Sequence, residues 1–189
     1  MIVELFGPSG SGKSYLVPGL AALHHVPVID VAFGQKHLLA ALFAVRRPRL
    51  TYRLVRLWHL KTRLDRTLRR KKLYRLISFL SKEQKARLRR GGVIDEGLFQ
   101  FFLILHEQKI SPAEIEECLT LLRSEDYLVC IVESDRETRL RRMRERNKIS
   151  RAGLGEAYQS RWQDTLETNA AELKALLTSR FTCTVRRND

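Results

Sequence analysis

The chain has 189 residues, enough to bury one apolar core without disulfides or structural metals, so a single domain over residues 1–189 is expected. Cys118, Cys130 and Cys183 are far apart and in no CxxC or Cys/His ligand spacing, which argues against a disulfide framework or a zinc site and for reduced thiols in a cytoplasmic protein. The formal net charge of +14 is regional: residues 46–90 hold 18 Lys/Arg against two acids, the rest 17 against 19. Such a field attracts phosphate-bearing partners, whether nucleotide, nucleic acid or an anionic membrane surface.

Residues 2–6 are apolar and β-prone apart from Glu4 and end at Gly7, and a helix is expected from about Gly12 to Leu23, kinked or shortened at Pro18. This start leaves no room for a signal peptide, and no apolar run reaches the roughly 18 residues of a membrane span. Val26 to Val31 reads as a second strand. From Gln35 to Arg90 no strand is expected; Leu50, Leu54, Leu57, Leu60, Leu64 and Leu68 recur at three- and four-residue steps and so share one helix face. Gly91-Gly92 ends that region, and Val93-Ile94-Asp95 is a short third strand.

Gly97 to Gln108 reads as a buried apolar helix, and Ser111-Pro112-Ala113-Glu114 opens another that runs to about Ser124. Tyr127 to Val132 is a fourth, buried strand. Ser134-Asp135-Arg136-Glu137 is a capping box for a helix to about Asn147, and a loop with Gly153 and Gly155 follows. A long helix over about 156–178 and a fifth strand, Phe181 to Val185, complete the chain. Alternating strands and helices predict an α/β fold, a parallel sheet covered by helices on both faces in three α-β-α layers.

Gly7-Pro8-Ser9-Gly10-Ser11-Gly12-Lys13-Ser14 is a complete GxxxxGK[ST] loop between a strand and a helix. Its glycines let backbone N–H groups converge on phosphate oxygens at a helix N-terminus. Lys13 supplies charge to the β and γ phosphates and Ser14 a hydroxyl for Mg²⁺, so ATP with Mg²⁺ is the expected ligand. Asp95 ends a short apolar strand where such proteins aim a carboxylate at the metal, and is the second candidate Mg²⁺ residue. Adjacent imidazoles diverge, so His24-His25 is read as a helix-end pair rather than a metal site.

The segment from Val132 to Arg146, with Glu137, Leu140, Arg142 and Arg146 at set steps, resembles the strand-to-lid passage of thymidylate kinases and related nucleoside and nucleotide kinases. With Gly7–Ser14 and Val93–Gly97, the resemblance implies a phosphate-loop kinase with a five-stranded parallel sheet and a lid over residues 134–155. Arg142, Arg146 and Arg151 are then candidates to close over the phosphates, because guanidinium groups neutralise charge spread over the transferred phosphoryl. A solvated basic helix face is the competing reading of these arginines. Asp30, after the second strand, matches an acid that orients or deprotonates the acceptor hydroxyl in several kinases of this fold; it reads equally as a strand-end cap, and Glu96 is the competing base. The chain carries Asp95-Glu96-Gly97 where that group has Asp-Arg or Glu-Arg.

The basic helical stretch over residues 35–90 sits between the second and third strands, where the group builds its acceptor lid. It is open to three readings: a solvated face, a clamp for an anionic or phosphorylated small molecule, or an anchoring surface for nucleic acid or anionic lipid, with Tyr52, Trp58 and His59 available for stacking. The sequence thus reads as an ATP- and Mg²⁺-dependent kinase of a small-molecule acceptor. Its alternatives are a nucleotide-dependent nucleic-acid-binding protein or polynucleotide-end kinase, and a kinase acting at a membrane surface on a lipid-linked or polysaccharide precursor. A regulatory GTPase is disfavoured because no Asn-Lys-x-Asp segment occurs.

Overall fold

In a computed structural model, residues 1–62, 66–146 and 155–188 are described. Four parallel strands form the sheet in the order β2-β1-β3-β4: β1 Ile2–Phe6, β2 Gly92–Ile94, β3 Tyr127–Glu133 and β4 Thr182–Arg187. β1 lies between β2, with Glu4 opposite Ile94, and β3, with Phe6 opposite Ile131. The alternation of β1 divides the core. Val3 and Leu5 pack with Val17 and Leu20 of α1 (Lys13–Leu23), whereas Ile2 and Phe6 join the larger cluster that includes Phe99 of α5 (Leu98–Leu105) and Leu166 of α8 (Glu156–Arg180). Helices therefore cover both faces, as a parallel sheet requires.

The expected second strand, Val26 to Val31, is a single parallel bridge from Val28 to Val93, so the five-stranded expectation is corrected to four among the described residues. Ile29 N donates to Val93 O at 2.9 Å and Val93 N to Pro27 O at 2.9 Å, but β2 is only three residues long and offers no longer ladder. Beyond the bridge, Asp30 Oδ1 accepts from Val31 N at 2.7 Å, which turns that donor away from the sheet.

Between the bridge and β2 lie α2 (Lys36–Arg46), α3 (Pro48–Lys61) and α4 (Arg66–Leu88). The leucine series does not share one helix face. Leu50, Leu54 and Leu57 are buried in α3, but Leu60 is exposed, Leu68 belongs to α4 and Leu64 lies outside the described residues. At the end of α3 the Thr62 N–H and hydroxyl both donate to Trp58 O, at 3.1 and 2.7 Å. Trp58 is buried, donates from Nε1 to Arg69 O at 3.1 Å and lies under the Arg69 guanidinium, so it joins α3 to α4 and is not available for stacking.

α4 is fixed to the sheet at its C-terminal end. Arg87 donates to Glu83, Asp126 and the Tyr127 hydroxyl, and that hydroxyl donates to the buried Glu83 at 2.5 Å. This anchor sets where the cations one to three turns earlier fall relative to β2.

Other boundaries shift for local reasons. Pro18 neither ends nor shortens α1, which runs to Leu23. α6 (Pro112–Leu119) stops earlier than Ser124 as the chain tightens into i→i+3 bonds from Leu121 and Leu122. In α7 (Arg136–Glu145) the cap is Asp135, whose side chain accepts from Thr138 N at 2.8 Å, and not Ser134.

Glu4 is fully buried on the Phe6 face of β1 and accepts from the backbone N–H groups of Leu98, Phe99 and Gln100, capping α5 from another element. Burial, then the Glu83 charge, lifts its pKa to about 8 against the pull of those amides. A Cβ on Gly97 would lie 2.5 Å from the Glu4 carboxyl carbon. Gly97→Ala is therefore expected to destabilise the fold by about 2 kcal/mol, read as a lower urea midpoint, because the bonded carboxyl cannot move aside. An unchanged midpoint contradicts this close approach.

Candidate phosphate-loop site

The loop from Gly7 to Gly12 connects β1 to α1, with Gly10 and Gly12 at φ of 85° and 90°. Both are in the left-handed region, where a side chain is strained. At Gly10 space is closed as well, since a Cβ would lie 2.7 Å from the Arg139 carbonyl oxygen of α7. Gly7 N donates to Gln100 Oε1 at 3.4 Å, so α5 steadies the start of the loop. The Ser11 hydroxyl is buried without a hydrogen-bond partner among the described residues.

Lys13, only 7% exposed, is folded onto the loop, its Nζ donating to Gly7 O at 2.6 Å and Pro8 O at 3.0 Å. Burial drives its pKa down to about 8 despite the Glu96 and Asp95 charges, which favour the ammonium; Arg139 adds to the lowering. The structure therefore brings Asp95 and Glu96, just beyond β2, into electrostatic range of Lys13. Asp95 accepts through Oδ1 alone, from Lys82 at 2.6 Å and from Glu96 N at 2.8 Å. Glu96 pairs with Arg75 at 2.8 Å.

Asp95 Oδ2 and the exposed Ser14 hydroxyl make no hydrogen bond among the described residues. One carboxylate and one hydroxyl, with water completing the shell, form the hard-oxygen donor set that Mg²⁺ takes. Among the described residues no group of three or more His, Cys, Asp or Glu side chains could hold a metal. The two donors fit Mg²⁺ shared with a nucleotide rather than a closed protein cage.

The remaining candidates divide. Arg142 Nη1 donates to Asn188 O at 2.8 Å, and Asn188 Nδ2 donates to Ser11 O at 3.2 Å, so Arg142 reaches the loop through the end of the chain. Arg146 is exposed, and its side chain makes no hydrogen bond or ion pair among the described residues. Arg151, with residues 147–154 of the expected lid, lies outside the described residues. Asp30 is exposed and engaged with Val31 N, its carbonyl accepting from Lys85 Nζ, and it bonds to no loop residue.

Gln100, Asn188, Lys82 and Arg75 touch the site without having been singled out. The signal for Gln100 was a lone amide inside the apolar run Leu98–Leu105; Asn188 had none. A cavity of about 520 Å³ opens beside the loop, reaching from Ser9 past Glu96 to Arg70, Lys71 and Arg75 of α4, with Trp162 of α8 in its wall. Arg70 and Lys71 are exposed and make no ion pair among the described residues.

No protein family and no curated protein matches the chain by sequence. Solved structures do match by fold. A deoxyadenosine kinase from M. mycoides with products dCMP and a flexible dCDP bound superposes with a TM-score of 0.57 at 15% identity, covering 98% of this chain and 90% of that one. The same enzyme with dATP gives 0.56 at 15% identity, covering 99% and 91%, and with dCTP 0.54 at 15%, covering 99% and 90%. The chain has the fold of a deoxyadenosine kinase.

Proposed function

We propose that this chain is an ATP- and Mg²⁺-dependent phosphotransferase that phosphorylates an anionic or phosphorylated small-molecule acceptor, in the manner of nucleoside and nucleotide kinases. The observation that carries the reading is the cavity of about 520 Å³ whose walls run from the phosphate loop, at Ser9, through Glu96 to the cations of α4. One end adjoins the loop and the other offers unpaired positive charge.

In this reading the loop amides and Lys13 hold the β and γ phosphates, and Ser14 and Asp95 hold Mg²⁺, which supplies charge neutralisation when bound. Glu96 stands nearest the acceptor as base, ahead of Asp30, because it lines the cavity and acts on Lys13. Arg75 already pairs with Glu96 at 2.8 Å and so fixes where that carboxylate points. Arg142, Arg146 and Arg151 complete the phosphate shell from the lid. Arg70 and Lys71 meet the acceptor's own anionic group.

The double variant Arg70→Ala, Lys71→Ala is therefore expected to raise KM for a phosphorylated acceptor about tenfold or more with kcat little changed, the value of charge-assisted hydrogen bonds lost from binding alone. An unchanged KM removes α4 from acceptor recognition.

A second reading, action at an anionic membrane, is favoured by one observation. Exposed Val45 of α2 and Tyr52, Val55 and Leu60 of α3 alternate with exposed Arg46, Arg49 and Arg56. No helix among the described residues is long and apolar enough to cross a membrane, so attachment would be peripheral. Sedimentation with phosphatidylserine vesicles and not with phosphatidylcholine vesicles is the expected result of that reading; equal recovery with both counts against it.

A further inference from the structure

A second cavity, of about 410 Å³, lies on the other side of the phosphate loop, under α7 and α8. Its apolar wall is Phe6, Ile131, Val132 and the small side chains of Ala170 and Ala171. Its polar wall is basic: Arg136, Arg139 and Lys174 face Glu133 and Glu167. Two of the three cations are satisfied, Lys174 by Glu133 at 2.5 Å and Arg136 by Asp164 at 2.7 Å.

Arg139 is not. It is only 4% exposed and spends Nη2 on Glu167 at 2.5 Å, while Nε and Nη1 have no hydrogen-bond partner among the described residues. A buried guanidinium cannot relieve this by losing its proton, and a buried donor without an acceptor costs free energy comparable to a lost hydrogen bond. Buried donors in native proteins nearly always find a partner, so an acceptor group is expected in this space.

We infer that this cavity is a second ligand site, separate from the nucleotide and acceptor sites, which takes a small organic anion with a carboxylate or phosphate oxygen that accepts from Nε or Nη1 of Arg139. The apolar wall calls for an apolar body on that anion. Gly7 and Pro8 form part of the same wall, and the Arg139 carbonyl closes against Gly10, so the bound anion and the phosphate loop share neighbours. The site stands whether or not the chain proves to be a kinase.

Isothermal titration of the full chain with sodium benzoate, phenyl phosphate, inorganic phosphate and benzyl alcohol tests it. Saturable binding of benzoate or phenyl phosphate is expected, and which of the two binds tells carboxylate from phosphate. Inorganic phosphate, with no apolar body, and benzyl alcohol, with no charge, are expected to bind at least about tenfold more weakly. Arg139→Met, which keeps the length and removes the donors, is expected to lower affinity at least about tenfold. Ala171→Phe is expected to do the same by filling the space from its exposed rim. Lys13→Ala is expected to leave the binding intact. The inference is overturned by any of three results: no saturable binding of either aromatic anion, which leaves water as the partner of Arg139; full affinity in Arg139→Met or Ala171→Phe; or loss of binding in Lys13→Ala, which puts the anion on the phosphate loop.

Discussion

Lys13→Ala is expected to lower ATP-dependent transfer by about three orders of magnitude while leaving the fold intact. The structure gives this prediction an unusual companion. Lys13 is buried with its pKa held down at about 8, below the ordinary 10.5. Between those two values the unfolded chain binds the proton that the folded one has lost, so this group's contribution to stability rises as pH rises from about 8 to 10.5. Below pH 8 the buried ammonium is a burden on the fold that its bonds to Gly7 O and Pro8 O only partly offset.

The alanine variant should therefore melt no lower than the wild type at pH 7 in the absence of nucleotide. In the wild type, ATP affinity should fall as pH rises past about 8 and Lys13 becomes neutral; in the variant that fall should be absent. Full activity in Lys13→Ala, or the same pH dependence in both proteins, contradicts the role assigned to this side chain.

Asp95→Asn is the second large expected effect, a loss of about two orders of magnitude in kcat at fixed Mg²⁺ together with a higher half-saturating Mg²⁺ concentration. The variant keeps the side-chain shape and an oxygen able to accept from Lys82 and Glu96 N, but loses the charge that Oδ2 directs away from those bonds. A Mg²⁺ titration unchanged from the wild type removes Asp95 from the metal shell.

The parts legible in the sequence were those whose signal is local. The strand, glycine loop and helix from Ile2 to Leu23 are written in consecutive residues, as are the buried strand Tyr127–Glu133 and the long helix that follows the Gly155 region. The errors came where partners far apart in sequence decide. Val26 to Val31 has strand composition, but a strand is as long as its neighbour allows, and β2 supplies three residues. The leucine series keeps helical spacing although α3 ends at Lys61 and α4 begins at Arg66, so its members belong to two helices.

The site divides in the same way. Asp95 and Glu96 could be placed near the loop from their position at a strand end. Their pairing with Lys82 and Arg75 depends on how α4 crosses β2, which is fixed by the buried Glu83, Arg87 and Tyr127 group and by no motif. Glu4 looked like a blemish in an apolar strand; it caps a helix 94 residues away in the chain.

The most direct test of the central claim is ADP release from Mg-ATP against nucleosides, nucleoside monophosphates, sugar phosphates and short oligonucleotides, with Lys13→Ala as the control. Strong stimulation by a phosphorylated or otherwise anionic small molecule, lost in Lys13→Ala, is the predicted result. Stimulation by oligonucleotides alone, or by no acceptor in the panel, contradicts it.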